Sequence, residues 1–189
     1  ALRKNTTTLP DMNVKTLADK KNIIKSKDNA FELEMDITPN ITGITGIELY
    51  NAKGENVKIY FDTKERKLVM DRTESGLIEF GKLSVPHDIE KNYSDVQQGA
   101  GNTPFRVFNS VNYKNDFALG TWAPLSLCKG KTYHVDIFVD KCSVEIFVDG
   151  GRIAMTNLVF PTTPYTSIKF YNKGTSASFH NIKISELSL

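Results

Sequence analysis

Three groups of residues in this 189-residue chain are of types and spacings that could do chemistry. The first is a pair of carboxylates, Asp136 and Glu145, which stand either side of a short turn and could approach each other across a hairpin. Two such groups can divide the roles of acid and nucleophile, although carboxylates on a strand face are more commonly solvated or salt-bridged. The second is the run Asp71-Arg72-Thr73-x-Ser75-Gly76. Arg72 can offer its planar fork to a carboxylate, Asp71 can accept backbone donors in a turn, and Gly76 permits a positive φ. Such a run can fix a turn or dock a neighbouring domain, or it can bind sugar hydroxyls beside an aromatic face. The third is Trp122, the single tryptophan, which is either a stacking platform for a sugar ring or a core or interface side chain. His87, His134 and His180 show none of the short spacings of metal sites, and neither Cys128 nor Cys142 lies in a Cys-x-x-Cys, so no metal and no cofactor is expected. One disulfide remains open if the chain is exported.

These residues need elements to position them. With 40% hydrophobic and 24% charged residues the chain suits one packed domain, which at this length buries roughly 70% of its unfolded surface and needs no staple. A formal charge of +2 argues against a nucleic-acid partner. No apolar run reaches the ~20 residues of a membrane helix, so no membrane partner is expected. From Phe31 onward the pattern has period two, Phe31, Leu33, Met35 and Ile37 alternating with Glu32, Glu34 and Asp36. Short strands are expected again over 44–50, 56–62, 66–71, 76–80, 132–140, 143–149, 152–157, 166–172 and 177–187, separated by turn formers such as Asp149-Gly150-Gly151. No long apolar stripe has helical spacing. The class is all-β, a two-layer antiparallel β-sandwich of jelly-roll or concanavalin-like type. Residues 1–29 are polar and lysine-rich and read as a lead-in with one edge strand, and 30–189 as the sandwich. Gly81 to Asn115, with two prolines and many polar residues, reads as a long loop or insertion, either functional or a harmless insert.

The stretch from Thr132 to Asn157 fixes a register. A two-residue turn at Lys141 and Cys142 sets Val139 against Val144, Ile137 against Ile146 and Val135 against Val148 on one inward face. The Asp149-Gly150-Gly151 turn then brings Ile153 to Val148 and Met155 to Ile146. On the opposite face Phe138 falls beside Glu145, Asp136 beside Phe147 and His134 near Asp149. Two phenylalanines on that face imply a cover: the long loop, a docked domain or a sugar.

The run from Tyr133 to Pro161 (YHVDIFVDKCSVEIFVDGGRIAMTNLVFP) resembles the hallmark of the C-terminal β-sandwich domain of glycoside hydrolase family 32, with Lys141 where Arg is usual and Cys142 where Ser is usual. Gly46-Ile-Glu-Leu-Tyr50, Lys58-Ile-Tyr-Phe-Asp62, and the segment from Leu68 through Asp71-Arg72 to Ser75-Gly76 resemble the family's paired strands, and Asp116-Phe117 and Ala123-Pro124-Leu125 its segment before the hallmark. The loop 81–108 has no counterpart. The resemblance implies a catalytic five-bladed β-propeller in the same polypeptide as partner, acting on sucrose, inulin or levan outside the cytoplasm or in the periplasm. The propeller's Trp-Met-Asn-Asp-Pro-Asn-Gly, Arg-Asp-Pro and Glu-Cys motifs do not occur here, so Asp136 and Glu145 are not expected to be the pair roughly 5 Å apart that a retaining glycosidase needs. The expected role is a non-catalytic domain that docks on the propeller and stabilises it, with 1–29 leading in from it. The alternative is a fructan-binding carbohydrate-binding module, with Asp71, Arg72, Trp122, Asp136 and Glu145 as candidate sugar-binding or interdomain residues. A calcium-dependent lectin-like sandwich is a third possibility, disfavoured by the lack of an Asp-x-Asp-x-Asp-Gly run.

Overall fold

The computed structural model describes residues 3–14, 20–23, 30–78, 117–126 and 128–187. Among them the regular elements are strands: β1 (Arg3–Thr8), β2 (Met12–Val14), β3 (Lys20–Ile23), β4 (Phe31–Thr38), β5 (Ile44–Tyr50), β6 (Asn56–Asp62), β7 (Lys67–Glu74), β8 (Gly120–Pro124), β9 (Tyr133–Val139), β10 (Ser143–Val148), β11 (Ile153–Leu158), β12 (Ser167–Lys173) and β13 (Ala177–Leu187). The first sheet has the order β1-β13-β4-β9-β10-β11, with β2 also on β13, and the second β3-β12-β5-β6-β7-β8. Every described pairing is antiparallel.

The two-layer architecture follows from the alternation. Phe31, Leu33, Met35 and Ile37 of β4 and Tyr133, Val135, Ile137 and Val139 of β9 turn inward from the first sheet, against Ile47, Leu49, Ile59, Phe61, Leu68 and Met70 of the second. Phe61 meets Tyr133 with ring centroids 5.4 Å apart, and Phe170 of β12 meets Phe179 of β13 edge-on at 5.2 Å, so aromatic contacts cross the interlayer space. Each such fully buried side chain contributes about 1.5–3 kcal/mol relative to exposure. One end of the sandwich is held by a buried polar network. Asn40 Nδ2 donates to Thr45 Oγ1 at 2.8 Å, Thr45 Oγ1 donates to Asn172 Oδ1 at 2.9 Å, and Asn172 Nδ2 donates to the Val14 carbonyl at 3.0 Å, tying the second sheet to β2 of the first.

The expected ribbon forms in the expected register. Val139, Ile137 and Val135 face Val144, Ile146 and Val148, and Ile146 and Val148 face Met155 and Ile153. Asp140 N donates to the Ser143 carbonyl at 3.0 Å, closing the turn over Lys141 and Cys142.

Three expectations change. The lead-in holds β1, β2 and β3, which join both sheets, so it contributes more than one edge strand. The strand expected over 76–80 does not form in its described part, residues 76–78. There the chain turns out of line with β7 because Gly76 adopts φ +130°, and the Leu77 N–H bonds instead to the Phe160 carbonyl at 2.8 Å. A Cβ at Gly76 would lie 2.4 Å from that same carbonyl oxygen, so the turn needs glycine. Conversely β8, unforeseen, adds an edge to the second sheet. The loop expected at 81–115 lies outside the described residues.

Candidate functional site

The outward positions of the two sheets hold the candidate residues, and register decides which of them meet. On the first sheet Glu34 of β4 pairs in register with Asp136 of β9, which pairs with Phe147 of β10. One row along, Glu32, Phe138, Glu145 and Thr156 align across β4, β9, β10 and β11. Asp136 and Glu145 are therefore diagonal neighbours. The other diagonal is taken by Phe138 and Phe147, whose rings sit edge-on with centroids 5.9 Å apart.

Most of this face is engaged in ion pairs. Arg3 makes two hydrogen bonds to the buried Glu32 carboxylate. Lys183 Nζ lies 2.9 Å from Glu34. His134 Nδ1 lies 2.8 Å from Asp36 and its Nε2 3.4 Å from Asp136. The hydrogen bond that His134 donates to Asp36 raises the imidazole above its ordinary value, against partial desolvation. Burial pushes Asp36 up, but the hydrogen bonds from Asn181 and His134 outweigh it and hold the carboxyl below its usual range. Burial is also the chief influence on Asp136, which is raised, with Glu32 and Glu34 reinforcing it against His134. His134 thus bridges the two carboxylates, Asp36 at hydrogen-bond distance and Asp136 further off.

The outer face of the second sheet differs. Tyr171, Gly46, Tyr60, Val69 and Trp122 align in one row across β12, β5, β6, β7 and β8. The next row brings Lys169, Glu48, Lys58, Asp71 and Gly120 together. Because Gly46 has no side chain, the tyrosines either side of it lean together above it, centroids 6.5 Å apart and tilted by 59°, and form the aromatic wall of a cleft of about 410 Å³. A Cβ at Gly46 would fall 2.1 Å from the Ile59 carbonyl oxygen and 2.6 Å from Tyr60 Cα, so no other residue fits. Lys169 pairs with Glu48 at 2.8 Å and Lys58 with Glu74 at 3.3 Å. Burial first, then the carboxylates of Asp71 and Asp62, holds the Tyr60 phenol above its ordinary value; burial, Tyr60 and Glu48 do the same for Tyr171. Both phenols remain protonated at neutral pH and can donate or accept.

The sequence-derived candidates thus separate into three places. Asp71 lines the second sheet's cleft and accepts hydrogen bonds from Thr73 N at 3.0 Å and Thr73 Oγ1 at 2.7 Å, as its turn role requires. Trp122 lies further along the same face, 56% exposed, with Lys67 Nζ 4.4 Å from its ring centroid; it is not a core residue. Arg72, adjacent in sequence to Asp71, instead reaches the side of the sandwich. Among the described residues its fork meets no carboxylate: Nη1 donates to the Leu158 carbonyl at 2.9 Å and the guanidinium stacks 4.1 Å from the centre of Phe117. Asp136 and Glu145 sit on the other sheet. Tyr60, Tyr171, Glu48, Lys58 and Lys169 were missed, although an outward tyrosine beside an inward Ile59 or Phe170, with a glycine inside a strand, was a usable signal. Cys128 and Cys142 are both exposed free thiols. Among the described residues no three His, Cys, Asp or Glu side chains converge as a metal site.

The fold and faces define an antiparallel β-sandwich with two chemically distinct outer surfaces. The family model described as glycosyl hydrolases family 32 C terminal matches residues 1–186, and the chain belongs to that family. It is 35% identical over 95 residues to the levanbiose-producing levanase of Bacillus subtilis (strain 168), a match covering 50% of this chain and 17% of the levanase. To the levanase of Bacillus sp. (strain L7) it is 22% identical over 170 residues, covering 88% of this chain and 15% of the relative. The crystal structure of a fructosyltransferase from A. japonicus superimposes with a TM-score of 0.69 at 16% identity, covering 97% of this chain and 26% of that one, which shows the shared fold. The chain therefore spans about a sixth of the length of the levanases it matches.

Proposed function

We propose that this chain is the non-catalytic C-terminal domain of a fructan- or sucrose-degrading glycoside hydrolase, docking on a catalytic β-propeller of the same polypeptide, stabilising it and working outside the cytoplasm. The observation that carries this reading is one of extent. The family match takes in nearly the whole chain, yet the two levanases have more than four-fifths of their length beyond the matched region, where their activity has room to reside. The docking surface we assign is the outer face of β9, β10 and β11. There the half-buried Phe138 and Phe147 adjoin exposed Ala154 and Leu158, the last 51% exposed, an apolar strip beside a polar network that suits an interdomain contact. The parent enzyme's remaining portion, expressed separately and mixed with this domain, is expected to co-elute with it and to melt higher in the complex. A Phe138→Ser, Phe147→Ser pair of substitutions is expected to abolish co-elution while leaving the sandwich folded. No association in a titration carried to about a millimolar, the effective concentration a short tether supplies, would sink the docking role.

A further inference from the structure

We propose that the cleft beside Tyr60 and Tyr171 on the outer face of the second sheet binds a neutral sugar. The inference is independent of docking, which uses the opposite face. Four features carry it. First, the cleft's aromatic wall is built rather than incidental: any Cβ at Gly46 would collide with backbone, and without one Tyr60 and Tyr171 pack against each other above it, which fixes both rings at the cleft's edge. Second, its walls are two tyrosine rings set at an angle, which present apolar faces to the C–H side of a sugar ring and hydroxyls to its rim. Third, the lining also sets donors beside acceptors, Lys58, Lys169 and Lys173 with Glu48 and Asp71, which suits adjacent ring hydroxyls that each donate and accept. Fourth, the charges offset one another. Glu48 holds Lys169 and Glu74 holds Lys58, which leaves Lys173 at the exposed rim as the one lining ammonium without a carboxylate among the described residues, while an uncharged polyol finds the paired groups already oriented. A volume of about 410 Å³ accommodates one or two sugar rings. Trp122, two strands away on the same face, gives a longer chain a further surface.

That the sugar is a fructan rests on the proposed parent enzyme; that it is a sugar does not. Calorimetry on the whole domain with levan, inulin, dextran and inorganic phosphate separates the two. Micromolar to millimolar binding of levan or inulin, weakened about tenfold or more by Tyr60→Ala or Lys58→Ala and unchanged by Phe138→Ser, is the expected result. Tyr60→Ala is paired with Lys58→Ala because the second removes only a half-exposed surface group and leaves the fold intact. Binding of dextran alone, with the same sensitivity, upholds the sugar cleft and overturns the fructan assignment. Binding that Phe138→Ser abolishes and Tyr60→Ala and Lys58→Ala leave intact overturns the site. Silence with all three polysaccharides at about 10 mM sugar units, or binding of phosphate alone, overturns the proposal outright.

Discussion

The two outer faces of this sandwich are built from the same alternation and end up with opposite characters. On the first sheet, long charged side chains from neighbouring strands reach one another: Arg3 to Glu32, Lys183 to Glu34, His134 to Asp36 and Asp136. The phenylalanines take the remaining diagonal and the surface closes on itself. On the second sheet a single missing side chain, at Gly46, lets two tyrosines lean together, and a cleft opens beside them among equally charged neighbours. Charge density therefore does not distinguish a face suited to a flat interdomain contact from one suited to a small ligand. What distinguishes them is whether register lets the charges satisfy each other and whether a gap remains.

The contrast can be broken most severely at its origin. Gly46→Val forces Cβ into the Ile59 carbonyl and is expected to cost about 3 kcal/mol or more, lowering the melting temperature by about 10 °C. The same added bulk on the first sheet, Ala154→Val at an exposed position, is expected to change stability by less than about 0.5 kcal/mol. Equal melting temperatures for the two variants would erase the distinction. Next in size is Arg3→Ala, which strands the buried Glu32 carboxylate without its partner. Thermal denaturation should show a drop of a few degrees, largely recovered in the double variant with Glu32→Gln. No such rescue should exist among the second face's exposed pairs, such as Lys58 with Glu74.

A smaller effect separates the faces by pH. His134 is raised on folding, so its contribution is fully present below about pH 6.5 and is lost as pH rises through its folded value. Asp36 is lowered on folding, so its contribution is present above about pH 3.9 and is lost as pH falls through its folded value. The pair thus stabilises most between about pH 4 and 6.5, and at this exposure by only enough to move the melting temperature by about 2 °C. His134→Ala should flatten the decline on the alkaline side. Sugar binding at the second face, whose lining holds no histidine, should stay constant from about pH 5 to 8, and calorimetry across that range would show it. Smallest of all, Trp122→Phe should shift the melting temperature by no more than about 1 °C, since the ring is mostly in solvent. Any loss it causes should appear with long polymer and not with a disaccharide.

The fold was legible where sequence-neighbouring strands pair. The β9–β10–β11 ribbon could be aligned residue by residue because two tight turns leave one register that gathers its valines and isoleucines on one side. The strand β8 escaped notice because Gly-Thr-Trp-Ala-Pro has neither alternation nor β-formers enough, and it is a strand only because β7 offers it an edge. The strand expected at 76–80 does not form in its described part, 76–78, for the converse reason: its apolar residues looked suitable, but Gly76 and the Phe160 carbonyl turn the chain aside. The candidate site was partly visible. Asp71 and Trp122 do share a face, whereas Arg72, one residue from Asp71, points to the side because successive strand residues alternate. The tyrosine cleft depends on β12 lying beside β5, a pairing of strands over a hundred residues apart that no local pattern announces.

The two exposed thiols carry a practical consequence. Cys128 lies just before β9, its N–H bonded to the Tyr133 hydroxyl at 3.1 Å, and Cys142 occupies the turn after it, so a whole strand, about 20 Å, intervenes. A bridge tolerates Cα atoms no more than about 7 Å apart, so the two cannot close on each other within one molecule. Air oxidation would therefore link separate copies end to end, into dimers and then longer strings that fall apart on adding a reductant.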